Sequence, residues 1–236
     1  MGTTTTDLSP LWVARLLQAS DSLYPTGAYA HSFGLEGLTQ EGSVAALPAL
    51  REFVLDHALP ALAATDLPVA ARAWAAAGEP VDWNRLRRLC QLGSALRGAR
   101  ELREGSEAIG RQRAALAARL HGGVAAEFER RALAGGWPTP GCVSAAIEAR
   151  AIGAPLEAVL AGLIYSTAAG LVSSAVKLLR LGQNAAQGLL AEALNRVPVL
   201  TAAALAAGED ELGSFNPWWD IASARHEAAD FRLFIS

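Results

Sequence analysis

The chain has 236 residues, a length that suits one large domain, and its 20 basic and 23 acidic residues leave a net charge of −3. This balance excludes the strongly basic surface that nucleic acid or an anionic membrane requires. Apolar residues make up 52% of the chain and aromatic residues only 6%, and alanine, the best helix former, is the most frequent residue. The composition therefore predicts an all-α protein.

The amino-terminal end differs in composition from the rest of the chain. Glycine and threonine dominate it and leave almost nothing to bury, so we expect residues 1–8 to be a disordered tail and residues 9–236 to form a single all-helical domain. The first helix is predicted from Leu11 to Ala19. Apolar residues at 3.6-residue spacing from Leu47 to Ala61 predict another helix, which we expect Pro60 to kink or stop.

Glycine, proline and capping residues divide the remainder of the chain into further helices. Asp82 is placed to cap one of them, and Pro198 is placed to interrupt another. These predicted helices cover residues 66–77, 83–96, 99–120, 124–134, 142–152, 183–207 and 216–229. Together with a central apolar segment, they predict a bundle of roughly ten helices.

That central segment runs from Ala158 to Val176 without a charged residue, which is long enough in principle to cross a bilayer. It also contains Tyr165, several serines and threonines and many alanines, so it is less apolar than a lipid-facing helix, and we find no second such run. We therefore predict the central helix of a bundle, apolar all round because other helices surround it. A membrane span is the alternative.

The sequence carries no recognisable catalytic or metal-binding motif. Lys177 is the one lysine and follows Val176 within an apolar run, which excludes a P-loop for nucleotide phosphates. The four histidines and two cysteines are scattered without metal-ligand spacing, and no nucleophile motif is present. We therefore predict a cytoplasmic protein with reduced thiols that is not an enzyme and holds neither a cofactor nor a metal of its own.

The densest group of polar and turn-forming residues lies between residues 21 and 36. A Pro-Thr-Gly turn separates two predicted helices there. Helical spacing would place four residues on one face of the second helix: Tyr29, Ser32, Phe33 and Glu36. One interpretation is structural, with hydroxyl caps and a buried carboxylate that binds backbone amides. The other is a cavity or docking surface lined by Asp21, His31 and Glu36.

Four stretches with distinctive sequences follow one another along the chain. Residues 21–36 contain a Pro-x-Gly turn and end in Ser-x-Gly-Leu-Glu, and residues 100–111 read RELREGSEAIGR. Residues 174–187 contain SAVKL and a Gly-Gln pair, and residues 215–236 contain FNP, RHE and a terminal RLFIS. In this order, the stretches resemble the signatures of the urease accessory protein UreF family, and the resemblance extends over residues 11–236.

The resemblance implies an all-α, dimer-forming accessory protein that is not a catalyst. Such a protein, with the subunit UreD (also called UreH), binds apo-urease and recruits the GTPase UreG, which delivers nickel. The resemblance also implies a set of partner-binding residues: Tyr29, Ser32, Glu36, Arg100, Arg103, Lys177, Gln183, Arg225, His226, Arg232, Leu233 and Phe234. The alternative function is a helical-bundle enzyme with a small-molecule cavity near Asp21, His31 and Glu36.

Each of these motif residues also has a purely structural interpretation. The charged residues from Arg100 to Glu104 fit a solvated helix face with weak intrahelical pairs. Lys177 could simply extend its ammonium group from an apolar run to water. Gln183 could simply be a polar residue at the start of a helix. Arg225 and His226 could simply be cations that complement the negative carboxyl-terminal end of their own helix.

The carboxyl-terminal segment from Phe231 to Ser236 is largely apolar. An apolar segment that must be ordered is expected to fold onto a surface, most usefully that of a partner. We therefore expect this segment to be loose in the isolated protein and ordered by the UreD-like subunit. Arg232, a multidentate donor, would then help to recruit the GTPase.

Overall fold

The computed structural model describes residues 11–229 and 231–235, in which every regular element is helical. The α-helices are α1 Leu11–Ser20, α2 Leu35–Gln40, α3 Leu47–Glu52, α4 Leu59–Ala64, α5 Asp66–Ala76, α6 Trp83–Ala95, α7 Arg100–His121, α8 Gly123–Gly135, α9 Gly141–Ala151, α10 Leu156–Leu178, α11 Gln183–Leu194, α12 Val197–Ala206 and α13 Pro217–His226. The predicted all-α bundle is confirmed. The predicted tail, residues 1–8, lies outside the described residues.

The helix that contains Pro60 continues through the proline, although we expected a kink or a stop there. Residues Phe53–Ala58 form a π-helical segment that joins α3 to α4, and Pro60 occupies the first turn of α4. In that segment the Leu59 N–H donates to the Val54 carbonyl, five residues back. The wider turn accommodates a residue that lacks an N–H and carries a bulky ring.

The π-helical segment also positions the last helix of the bundle. Phe53, which is buried, packs edge to face against two indole rings of α13, with centroids 6.0 Å away for Trp218 and 5.1 Å away for Trp219. Such aromatic pairs contribute about 0.5–1.5 kcal/mol beyond the area they bury. The long α3–π–α4 unit therefore fixes α13, which carries part of the fourth sequence stretch.

Helix α10 is the predicted central helix, and its position is confirmed. It packs against seven other helices: α1, α2, α4, α5, α9, α11 and α12. By length and composition alone, both Leu156–Leu178 and Gln183–Ala206 could cross a membrane, although the second range contains Glu192 and Arg196 and is not an uncharged run. The contacts of α10 on several sides are those of a core helix in a globular bundle.

Helices α7 and α9 approach closely at Gly110. A Cβ at this position would overlap the carbonyl oxygen of Thr139 and lie 2.9 Å from the carbonyl carbon of Pro140. One turn earlier, the Ser106 hydroxyl accepts the Gly141 N–H at 3.2 Å and so satisfies an amide in the first turn of α9. The small residues of the second sequence stretch therefore set the distance between two core helices.

The turn before α2 differs from the predicted helix. Tyr29 lies in a short 3₁₀ turn, Ala28–Ala30, and α2 begins only at Leu35. Between them, Phe33 has a φ of 52° and Gly34 a φ of 82°, values that end any continuous helix. The prediction that Tyr29, Ser32, Phe33 and Glu36 share one helix face is therefore wrong.

Candidate functional site

Glu36 lies at the centre of a buried group of charged side chains. Its Oε1 accepts the Leu233 N–H at 2.7 Å, and its Oε2 accepts the Phe234 N–H at 2.9 Å. The same Oε2 lies 2.9 Å from Nε2 of His226. Glu36 is thus a buried carboxylate that binds backbone amides, as the structural interpretation predicts, and the amides belong to the far end of the chain.

Three further charged residues complete this group, which we call the Glu36 cluster: Glu36, Glu101, His226 and Arg232. Nδ1 of His226 lies 3.0 Å from Oε2 of Glu101, and Arg232 pairs with the other oxygen of Glu101. The imidazole of His226 is 1% exposed and is held between two carboxylates. His226 therefore connects α2, α7 and α13, a role that helix-end electrostatics alone would not give it.

The cluster holds the carboxyl-terminal segment, residues 231–235, against the rest of the chain. Beyond the two amides bound by Glu36, the Ile235 N–H donates to the Ala30 carbonyl at 2.8 Å and Gln40 Nε2 donates to the Phe231 carbonyl at 2.9 Å. The side chain of Phe234 is buried. Our expectation that this segment is loose in the isolated protein is therefore wrong, because these four hydrogen bonds and one buried ring offset its ordering entropy.

Lys177 connects the third sequence stretch to the first and the fourth. Its Nζ lies 3.7 Å from the ring centroid of Tyr29 and 5.2 Å from that of Phe234. An ammonium over an aromatic face is attracted by the ring quadrupole, with about 0.5–1 kcal/mol at exposed sites. The single lysine therefore contacts the carboxyl-terminal segment from the end of α10.

Two exposed ion pairs flank the cluster. Arg100 of α7 pairs with Glu227, and Arg225 of α13 pairs with Glu41 at 3.0 Å. Pairs between exposed side chains stabilise little, typically 0–1 kcal/mol. These two arginines therefore remain available to a partner at small cost to the fold.

Three other predicted partner-binding residues have local surroundings. The Ser32 hydroxyl accepts the Glu36 N–H at 3.2 Å, and Arg103 donates to the Arg97 carbonyl at 3.0 Å. Gln183 is exposed at the first residue of α11, as the helix-start interpretation predicts, and takes no part in the contacts of the Glu36 cluster. The predicted partner-binding residues therefore do not all meet at the Glu36 cluster.

The three residues suggested to line a cavity have different surroundings, since His31 and Glu36 are buried. Asp21 is exposed, accepts the Leu23 N–H at 2.7 Å and lines a shallow groove that includes neither His31 nor Glu36. Burial lowers the pKa of His31, with the charge of Glu101 acting in the opposite direction, so this imidazole is neutral at pH 7. The structure therefore does not support the small-molecule cavity on which the alternative function, a helical-bundle enzyme, depends.

Metal-ligating side chains do not converge within residues 11–229 and 231–235. No group of three or more His, Cys, Asp and Glu side chains in these ranges is placed to hold a metal ion. Cys90 and Cys142 are free and buried, and burial raises the pKa of the Cys90 thiol to about 12. A thiol that stays protonated at pH 7 is a poor metal ligand, because the thiolate is the ligand form.

The isolated protein is accordingly expected to bind Ni²⁺ only weakly. The ring nitrogens of the buried His226 already face the carboxylates of Glu36 and Glu101, and the described part of the chain contains no group of three ligating side chains placed to hold a metal ion. Equilibrium dialysis at neutral pH is the measurement. A tight stoichiometric site abolished by replacing one histidine would contradict this prediction and indicate a metal carrier.

The fold and the Glu36 cluster together define an all-helical protein in which buried charged side chains fix the carboxyl-terminal segment. Comparison with known proteins gives the family. The UreF family model matches residues 47–194. A urease accessory protein UreF from Alkalilimnicola ehrlichii is 33% identical, with 94% of this chain and 95% of the relative aligned. Another from Granulibacter bethesdensis is 34% identical, with 94% and 93% aligned.

The chain therefore belongs to the UreF family of urease accessory proteins, and the resemblance seen in the sequence is confirmed. Its relatives are named as accessory proteins and not as enzymes, in agreement with the absence of a catalytic motif from the sequence. Glu101 was not among the site residues predicted from the sequence. The signal that could have found it is its place beside Arg100 in the second family-like stretch.

Proposed function

We propose that this protein is a nickel-insertion chaperone of the cytoplasm, which with a UreD (UreH) subunit binds apo-urease and recruits and regulates the GTPase UreG. Family membership supports a role in urease maturation. The sequence lacks a P-loop, so GTP hydrolysis in this process belongs to a partner. The protein acts through contacts with other proteins.

The observation that carries the proposal is an exposed apolar surface on the carboxyl-terminal segment. We define the tail surface as Tyr29, Phe231, Leu233 and Ile235, all four of which are more than half exposed. Large apolar side chains grouped in water mark interaction sites, because their burial against a partner is favourable. The UreD-like subunit is the partner that we assign to this surface.

The Glu36 cluster prepares the tail surface for binding. Because Glu36 fixes two backbone amides of the segment, the side chains of Leu233 and its neighbours are presented in one arrangement. A preorganised surface loses less conformational entropy on association than a loose segment does. The cluster therefore increases affinity without touching the partner itself.

Arg232 is the residue that we assign to recruitment of the GTPase. Its side chain is 38% exposed although it pairs with Glu101, so it is accessible to a partner, and its neighbour Leu233 belongs to the tail surface. A planar guanidinium recognises a carboxylate in a defined geometry and contributes to specificity more than to bulk affinity. This role is separable from the UreD contact.

Replacing Leu233 with Asp is expected to abolish co-purification with the UreD-like subunit, because a carboxylate would have to be desolvated within an apolar interface. The matched control is Leu133→Asp, since Leu133 on α8 is 68% exposed and Leu233 is 63% exposed. The protein is co-expressed with UreD and UreG, and size-exclusion chromatography with light scattering shows which partners co-elute with it. The mass of the isolated protein tests the homodimer that the family resemblance implies.

The same assay distinguishes the binding of UreD from the recruitment of UreG. Arg232→Ala is expected to keep UreD bound and to reduce the amount of UreG that co-elutes. Recovery of both partners at the wild-type level with Leu233→Asp would contradict the assignment of the tail surface. Equal loss of both partners with the Leu133→Asp control would contradict it as well.

A further inference from the structure

A second site lies away from the Glu36 cluster, in a cavity of about 870 Å³. The ends of several helices surround it: the start of α1, the end of α5, the junction of α7 with α8, and the turn between α9 and α10. Ligand pockets in proteins commonly measure about 300–1,000 Å³. The cavity is therefore large enough for a small organic molecule.

Two arginines that have no acidic partner among the described residues line this cavity. Neither Arg15 nor Arg150 forms an ion pair with another described residue, and the guanidinium of Arg150 lies 4.4 Å from the ring centroid of Trp74. One carboxylate, that of the exposed Glu79, is among the lining side chains. The charge that faces the cavity is therefore positive, which favours an anion.

A buried histidine forms part of the cavity wall. His121 lines the cavity with 6% of its side chain exposed, and its Nε2 lies 3.6 Å from Oε1 of Glu148. Its Nδ1 is buried and has no hydrogen-bond partner among the described residues. A buried polar atom without a partner costs about 1–3 kcal/mol. Because Nδ1 is closed off from the cavity, a ligand would bind through the arginines and the helix start and not through this atom.

The backbone beside His121 adds further donors. Helix α8 begins at Gly123, and its first amides have no intrahelical partner, as at the start of any α-helix. Gly122 and Gly123 both line the cavity, and a Cβ at either position would meet no atom within 4 Å. A ligand can therefore approach this helix start, whose amides favour negative charge.

We propose that this cavity binds a small organic anion, with its carboxylate or phosphate near Arg15, Arg150 and the first amides of α8. The apolar part of the ligand would contact the two indole rings of the lining, Trp12 and Trp74. Apolar walls with a few convergent polar groups are the usual composition of a small-molecule site. This proposal does not depend on the role in urease maturation.

Titration of the full chain with AMP and with 1-naphthoate tests the proposal and distinguishes phosphate from carboxylate. The readout is the set of six tryptophan indole N–H signals in ¹⁵N NMR spectra, with affinity from calorimetry. At least one of the two anions is expected to shift the signals of Trp12 and Trp74 and to leave those of Trp218 and Trp219 unchanged. Adenosine and 1-naphthalenemethanol are the neutral comparators.

Arg15→Ala and Arg150→Ala are each expected to weaken binding about tenfold, as the loss of a charge-assisted hydrogen-bond donor predicts. Arg87→Ala, an exposed arginine of α6 outside the cavity lining, removes the same charge and should leave binding unchanged. The proposal is overturned if neither anion binds at millimolar concentration, if the neutral comparators bind equally well, or if Arg87→Ala weakens binding as much as Arg15→Ala.

Discussion

Replacing Glu36 with Ala is expected to lower the free energy of unfolding by about 3 kcal/mol, because each buried donor left without an acceptor costs about 1–3 kcal/mol. The substitution removes the acceptor of two backbone amides, at Leu233 and Phe234, and one of the two carboxylates at His226. Partial rearrangement of the terminal segment would satisfy some of these donors with water. Thermal and urea unfolding give the stability change.

The functional consequence of Glu36→Ala should exceed its effect on stability. If the segment is released, the side chains of the tail surface no longer hold one arrangement. Co-purification with the UreD-like subunit should therefore fail even at temperatures where the helical bundle stays folded. Glu104→Ala is the control, since Glu104 is exposed on the same α7 that carries Glu101. A Glu36→Ala protein that unfolds like the control and still binds UreD would refute the role of the cluster.

Replacing Gly110 with Ala is expected to destabilise the protein by about 3 kcal/mol or more, because the added Cβ meets backbone that cannot rotate away. It would overlap the Thr139 carbonyl oxygen and lie 2.8 Å from the Thr139 carbonyl carbon. Helices α7 and α9 would have to separate, and overpacking of a core costs about 1–3 kcal/mol even when flexible side chains can adjust. Differential scanning calorimetry is the measurement.

Gly188→Ala is the matched control for Gly110→Ala. Gly188 lies within α11, and a Cβ there would meet nothing within 4 Å. A helical glycine replaced by alanine in open space gains about 0.5–1 kcal/mol, so this variant should be more stable than wild type. A Gly110→Ala protein that melts at or above the wild-type temperature would show that the close approach of α7 and α9 is not required.

Glu101 and His226 illustrate why the site was only partly predictable. Both residues lie in family-like stretches, but only His226 was predicted as a partner-binding residue, and helical spacing within each stretch gave only local partners. Their contact joins residues 125 positions apart in the chain. A pairing of that kind depends on how α7 and α13 pack, which no local pattern specifies.

The sequence by itself determined the helical class, the central position of α10, the cap at Asp82 and the absence of a P-loop. Composition, 3.6-residue periodicity and motif spacing are local properties, and helix formation depends largely on them. Tertiary packing decided that Pro60 stays within a helix and that α2 starts only after the left-handed Phe33 and Gly34. It also decided that Glu36 binds the end of the chain, because a buried carboxylate takes whichever donors the assembled helices bring to it.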